Sequence, residues 1–336
     1  MHYAPILIPT LCRYEHFVRC IESLKRNTWA KYTDVYVALD YPSKESHWAG
    51  YNKICKYLDN KFDEFANFYV IKRPYNYGSG KNMDDLRSAI FKKYDRFIRT
   101  DDDCEFAPGF LEYMNLCLEK YKNDESVVGV TGFSYPVDWE INPECNAFKN
   151  TAICPMWGTG FMTDKFLKMK KEIESGIIRE QFLAGNVHRK GMTDARYLDA
   201  ISGALSDNEN NLVSCFSDVA MGCYIQLLHK YVITPKESLV RNYGFDGTGE
   251  YCQDTSTERN NNSDARTYNY ASQSINMDEK IEWKVDGQCD FQRNIDILNG
   301  FDRRNSSDFI KTIIKSKIKQ MIFKLRLKKK EVKNNM

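Results

Sequence analysis

Phe97-Ile98-Arg99-Thr100-Asp101-Asp102-Asp103-Cys104-Glu105-Phe106-Ala107-Pro108-Gly109-Phe110 puts an apolar strand, three consecutive carboxylates and a helix-entry signal side by side. Like charges this close repel unless something cationic sits among them. Side chains alternate along an extended backbone, so Asp101 and Asp103 are expected to share a face while Asp102 turns away. That pattern suits a hard divalent cation. Mg²⁺ or Mn²⁺ takes oxygen ligands, uses one or two protein carboxylates and completes its shell with water and phosphate oxygens. A solvated acidic turn is the alternative reading of such a run. The context favours the metal: strand-like Tyr94–Ile98 precedes the run, and Pro108-Gly109 leads into an apolar-periodic stretch. This places the triplet at the carboxyl edge of a sheet, where open α/β folds bind ligands.

Upstream, Ile6–Ile8 is a short apolar run closed by Pro9-Thr10, and Phe17, Cys20, Ile21 and Leu24 then recur at helical spacing. Arg13 lies between them. It is placed either to meet an anionic or nucleotide ligand or to sit on the surface at a helix start. Asp34-Val35-Tyr36-Val37-Ala38-Leu39-Asp40 reads as a second strand ending on a carboxylate, which is either a turn residue or an acceptor for a base or ribose. A helical pattern follows from Trp48 to Phe62, then a third strand at Phe68–Lys72. In Pro74-Tyr75-Asn76-Tyr77-Gly78-Ser79-Gly80-Lys81-Asn82-Met83 the spacing of a phosphate-binding P-loop is absent. What remains is a flexible Gly-rich turn that delivers Lys81 and Asn82 near the sheet edge, or a plain loop with a helix start.

Downstream come a helix (Phe110–Tyr121), a strand (Val127–Gly132) and a polar connection containing Pro136 and Pro143. Alternating strand and helix predict a mostly parallel nucleotide-binding sheet with helices on both faces. The expected division is a nucleotide-binding half over 1–135 and a smaller acceptor-side half of the same domain over 136–300. In the second half, Trp157-Gly158-Thr159-Gly160 joins a rigid aromatic to small residues, as a flat sugar ring would require, or as a turn around a core tryptophan. Ser217 or Asp218 caps another helix. As a cap Asp218 needs no function; as a carboxylate across the cleft it is a candidate general base. Strand-like Val232–Pro235 and Ser238–Asn242 follow, closed by Gly244–Glu250, and the polar stretch from Asp254 to Asp278 reads as mobile.

The net charge of +2 over 336 residues hides an asymmetry. Ten basic residues and one acidic lie from Phe309 onward, so the body is mildly acidic. Within this tail Phe309, Ile310, Ile313, Ile314, Ile318, Met321, Ile322 and Leu325 fall on one helical face, with Lys311, Lys315, Lys319 and Lys324 outside it. A basic amphipathic helix over 305–331, lying in an anionic membrane interface, is the expectation; docking on the body or on a partner is the alternative. An acidic body without a basic stripe argues against nucleic acid. Eleven cysteines at irregular spacing, with no C-x-x-C pair, read as reduced thiols of a cytosolic protein. No run reaches the roughly 18 apolar residues of a membrane span, so a place on the cytoplasmic face of the membrane is expected.

The order of these motifs, from Ala4 to about Tyr251, resembles that of GT-A-fold glycosyltransferases, and the layout is similar to bacterial family 2 enzymes that build surface polysaccharide. Asp101–Phe110 with Leu111-Glu112-Tyr113 is also similar to the D-x-D region of N-acetylglucosaminyltransferase I. The resemblance implies a metal-dependent, inverting transfer of a hexose or N-acetylhexosamine from a nucleotide diphosphate sugar to a glycan or lipid-linked acceptor. It implies that Asp103 holds Mn²⁺ or Mg²⁺, with Asp101 or Asp102 at the ribose or the metal waters. Thr10, Arg13, Asp40, Lys81 and Asn82 would contact the nucleotide, and Asp218 would be the base. A histidine commonly follows the last motif in that family; here either Glu250 stands as the third ligand or the triplet and the diphosphate alone hold the metal. A sugar-phosphate nucleotidyltransferase and a non-catalytic membrane-surface binding protein are the rival readings.

Overall fold

A computed structural model describes residues 2–151, 155–184, 216–249, 254–255, 268–288, 290–301, 310–311, 314–315 and 317–326. The first half alternates β1 (Ile6–Thr10), α1 (Tyr14–Lys25), β2 (Asp34–Leu39), α2 (Trp48–Tyr57), β3 (Asn67–Lys72), α3 (Gly78–Ile90) and β4 (Arg96–Arg99). Then follow β5 (Cys104–Phe106), α4 (Phe110–Tyr121), β6 (Val127–Thr131), β7 (Ala147–Asn150), β8 (Thr159–Met162), α5 (Thr163–Glu174) and α6 (Ile177–Leu183). Beyond these lie α7 (Asp218–Leu227), β9 (Tyr231–Pro235), β10 (Val240–Asn242), β11 (Val285–Asp286) and α8 (Phe291–Phe301).

Nine strands form one mixed sheet in the order β11-β7-β9-β6-β8-β4-β1-β2-β3. β1 is its pivot. It pairs in parallel with β2, Ile6 opposite Val35 through to Thr10 opposite Leu39, and in parallel with β4, Ile6 opposite Ile98. Strands covered on both faces need apolar residues at every position rather than at alternate ones. Period-2 geometry then sorts them. Ile6, Ile8, Val35, Val37, Leu39 and Ile98 face one core with Phe17, Ile21 and Met114 of α1 and α4. Leu7, Tyr36, Ala38 and Phe97 face the other with Leu86, Phe166 and Tyr224 of α3, α5 and α7. Antiparallel pairing of β8 to both β4 and β6 brings the second half of the chain into the same sheet.

This topology positions the site. β1, β2 and β4 are parallel neighbours, so Thr10, Asp40 and Thr100 are released at one edge. Where β4 ends the chain leaves the main sheet, and β5 pairs instead with β10 in a two-stranded ribbon, Cys104 opposite Asn242. Helix α2 passes so near the β1–α1 loop that a Cβ on Gly50 would lie 1.8 Å from the Cys12 carbonyl oxygen.

Packing bears on two expectations about the second half. Of the two readings of Trp157, its packing on Phe133, Phe245 and Tyr270 favours the turn around an aromatic cluster. The described part of the 254–278 stretch is tied to the core by buried Tyr268 and Tyr270. Seven described cysteines are free thiols. Among the described residues, no helix is long and apolar enough to cross a membrane.

Candidate functional site

The acidic triplet lies in the turn between β4 and β5, not on a strand, so side chains do not alternate as expected. Asp102 and Asp103 share one guanidinium instead: Arg13 Nη2 donates to Asp102 Oδ1 at 2.5 Å and to Asp103 Oδ2 at 2.8 Å. Asp101 turns to Arg99, whose Nη2 donates to its Oδ1 at 2.8 Å. The cations that three adjacent carboxylates require are therefore two arginines, one at the mouth of α1 and one at the end of β4.

Thr10 Oγ1 donates to Asp102 Oδ2 at 2.7 Å and Asn242 Nδ2 to Asp103 Oδ1 at 3.1 Å. Each oxygen of Asp102 and of Asp103 thus already accepts a hydrogen bond, and their side chains are 7% and 10% exposed. Asp101 differs: its side chain is 31% exposed, and among the described residues its Oδ2 has no donor. Burial, reinforced by Asp103 and Asp102 and opposed by Arg99, pushes Asp101 up to about 6. Burial raises Asp102 as well, against the pull of Arg13. For Arg13 burial disfavours the charge, but the two carboxylates more than offset this and hold it protonated. Beneath the turn, burial and the neighbouring carboxylates raise the thiols of Cys20 and Cys104 well above the ordinary range, so both stay neutral.

The β10 end closes the turn from the other side. Tyr243 N donates to the Asp103 carbonyl at 2.8 Å, and Gly244 N to Asn242 Oδ1 at 2.7 Å. A Cβ on Gly244 would sit 2.1 Å from Asp103 Oδ2, which Arg13 holds in place. Gly244→Ala should therefore cost about 1–3 kcal/mol by overpacking, read as a lower urea midpoint. Gly80→Ala, whose Cβ meets nothing within 4 Å on a helix, is the control and should gain about 0.5–1 kcal/mol. Equal effects of the two would refute the packing role of Gly244.

An outer layer joins distant parts of the chain. His16 Nε2 lies 2.9 Å from Asp246 Oδ2 and His16 Nδ1 3.2 Å from Arg19 Nη1. Because arginine can only donate, Nδ1 is the acceptor and Nε2 carries the proton to Asp246. Arg19 stacks over Tyr243 at 3.9 Å, and Tyr243 OH donates to Glu105. Burial works against the charge on Asp246, but hydrogen bonds from Thr248 and the proximity of His16 hold it below the usual carboxylate range.

Several residues expected to contact a ligand do something else. Asp40 is buried, and its carboxylate accepts from the backbone N–H groups of Tyr41, Tyr77 and Gly78 at 2.8–2.9 Å. Helix α3 begins at Gly78 with unpaired N–H groups at its first turn, and a buried carboxylate satisfies them. Both of its oxygens thus serve the start of this helix. The same helix start removes the flexible turn: Lys81 lies on the exposed face of α3, paired with Asp85 at 2.9 Å. Asn82 is buried, donating to the Ala38 carbonyl and accepting from Arg73, so it pins α3 to β2. Thr10 positions Asp102. Asp103, expected to be the first metal ligand, has no uncommitted oxygen in this arrangement. Asp218 is the first residue of α7, exposed, its carboxylate accepting from the Val219 N–H at 2.9 Å while Ser217 caps the helix through Ala220 N. No hydrogen bond or ion pair links it to the triplet among the described residues. Glu250 lies outside the described residues.

Among the described residues no group of three or more His, Cys, Asp or Glu side chains is arranged to hold a metal. Mg²⁺ and Mn²⁺ need fewer when phosphates complete the shell, and the exposed Asp101 oxygen is a hard donor of the right kind. Such a cation fits best at Asp101, whose Oδ2 has no donor among the described residues. Sequence reasoning passed over Arg99 although it stands two residues before the triplet. Nothing in the sequence marks the pairing of His16 with Asp246.

No protein-family model and no curated protein matches this chain. Among solved structures, TarS of S. aureus aligns with 50% of this chain and 29% of its own at 12% identity and a TM-score of 0.35. The mannosyltransferase PcManGT from Pyrobaculum calidifontis, in complex with GDP-Man and Mn²⁺, aligns over 40% of this chain and 36% of its own at 13% identity and a TM-score of 0.30. The alignments span about a third of the length of each of these proteins.

Proposed function

We propose that the chain is a GT-A-type glycosyltransferase that moves a sugar from a nucleoside diphosphate to an acceptor hydroxyl. The observation that carries this reading is the joining, at the carboxyl edge of β1 and β4, of Arg13 to the acidic triplet. Arg13 uses only Nη2 on the carboxylates among the described contacts, which leaves Nε and Nη1 to meet a phosphate in the planar geometry that guanidinium favours. Arg99 adds a second positive charge on the Asp101 side. Asp101 would hold a divalent cation together with the diphosphate; when bound, such a cation supplies Lewis-acid stabilisation of the leaving group. Asp102 and Asp103 keep Arg13 in position.

Asp218 is proposed as the base that takes the acceptor proton, giving inversion at the anomeric carbon. Its exposure at a helix start, with no cationic partner among the described residues, is what supports this. The test is incubation with a panel of nucleotide sugars and Mn²⁺, with glycan acceptors present, reading free nucleoside diphosphate. Release from one donor is expected, and Asp218→Asn should bind that donor while losing turnover about 10²- to 10⁴-fold. Pyrophosphate released from a nucleoside triphosphate would instead make the chain a nucleotidyltransferase, and silence across the whole panel from a folded protein would end the enzyme reading.

A further inference from the structure

Residues 310–311, 314–315 and 317–326 are helical, with no acidic residue anywhere from 310 to 326. Ile310, Ile314, Ile318, Met321, Ile322 and Leu325 are each 44–63% exposed, an unusual position for six large apolar side chains on one helix. At the 3.6-residue repeat of an α-helix these six fall within an arc of about 120°. Lys315 and Arg326 border that arc on one side and Lys317 and Lys324 on the other. Lys311 falls within it, near one border, where its long stem lets the ammonium reach outward. Phe323 points the opposite way, and its ring lies 4.7 Å from the guanidinium carbon of Arg179 on α6. The helix thus meets the body through its back and turns its apolar stripe away from it. Phe309 and Ile313, also assigned to the stripe from the sequence, lie outside the described residues.

We propose that the helical residues 310–311, 314–315 and 317–326 serve as an in-plane docking element for an anionic lipid surface. A stripe that served folding would face the body, as Phe323 does. A stripe turned outward between two rows of cations matches the layered chemistry of a leaflet: acyl chains in the middle and phosphate headgroups on either side of the helix. Because the helix sits on α6, and α6 packs with α7 in the same face of the protein, docking would turn the α7 side toward the lipid. The proposal does not depend on the glycosyl-transfer reading.

The test uses the full chain and flotation with vesicles of pure phosphatidylcholine or of phosphatidylcholine with 30% phosphatidylglycerol. Binding is expected to the anionic vesicles and to weaken with salt. Lys315→Gln with Lys324→Gln, which leaves the stripe intact, should lower affinity about 30-fold. Ile314→Ser, Ile318→Ser and Leu325→Ser together should abolish flotation with the circular dichroism of the body unchanged; Phe323→Ala, on the back face, should retain it. Equal binding to neutral vesicles, or flotation unaltered in both sets of variants, would overturn the proposal. So would a lipid-free oligomer that the stripe variants dissociate, since the stripe would then be covered by a second copy.

Discussion

Arg13→Ala should lose about 3–5 kcal/mol of stability, the cost of removing one partner from a buried ion pair. Two carboxylates, both nearly buried, share its Nη2 at 2.5 and 2.8 Å, so the variant strands two like charges where water cannot reach them. The readout is the urea midpoint at pH 7. Arg13→Lys should recover only part, because the lysine stem ends short of the Nη2 position from which one nitrogen reaches both carboxylates. The loss should also shrink on acidification. Burial already raises Asp102, and without Arg13 the shift grows. A carboxylate whose folded pKa exceeds its unfolded one loses stability as pH rises through the folded value, so lowering the pH from 7 towards 5 restores the variant relative to wild type. Adding Asp102→Asn to Arg13→Ala should restore much of the remainder. A loss below 1 kcal/mol at pH 7 would show that the guanidinium is not what balances the turn.

The parts of this molecule that were legible in advance are those set by local pattern. The apolar runs Ile6–Ile8 and Val35–Leu39 predicted parallel strands covered on both faces, and they are that, one set of alternate residues in each core. The triplet was correctly placed at a strand end. What the strand rule could not supply was the direction of its side chains, because the chain had already left the main sheet to pair β5 with β10, a partner 138 positions away at Asn242 and Cys104. Asp40 shows a second limit. A carboxylate at a strand end looks the same in sequence whether it waits for a ribose or caps a helix starting at Gly78. Only the packing of α3 decides, and that depends on Asn82 and Arg73 meeting across the loop. Three adjacent carboxylates call for positive charge, and among the described residues Arg13 and Arg99 supply it. One sequence feature shifts the balance towards the arginines: both lie within three residues of a strand end that the triplet's own strand or its neighbour provides.

Asp101→Asn should separate stability from activity. Asp101 is held at about 6 against 3.8 in an ordinary aspartate. Between those values the folded protein binds a proton that the unfolded chain does not, so this group removes stability as pH rises from about 4 to about 6. Replacing it with a neutral amide that can still accept from Arg99 should then be neutral or gain about 1–2 kcal/mol at pH 7, allowing for its partial exposure. Turnover should move the other way. If Asp101 offers the one uncommitted oxygen to a cation on the donor diphosphate, losing its charge should reduce kcat/KM about 10²- to 10³-fold, the size seen when one preorganised electrostatic contact is removed. In the wild type the same group predicts that, at sub-saturating cation, kcat/KM declines about tenfold per unit below about pH 6, as the carboxylate takes its proton and gives up the cation. A bound cation should shift that limb to lower pH by competing with the proton. In Asp101→Asn the acid limb should disappear. A variant that is both less stable and equally active would assign Asp101 to the fold and move the donor site elsewhere. One that is more stable, slow and flat with pH would mean that a carboxylate has been kept at a cost to stability because the chemistry at this edge requires it.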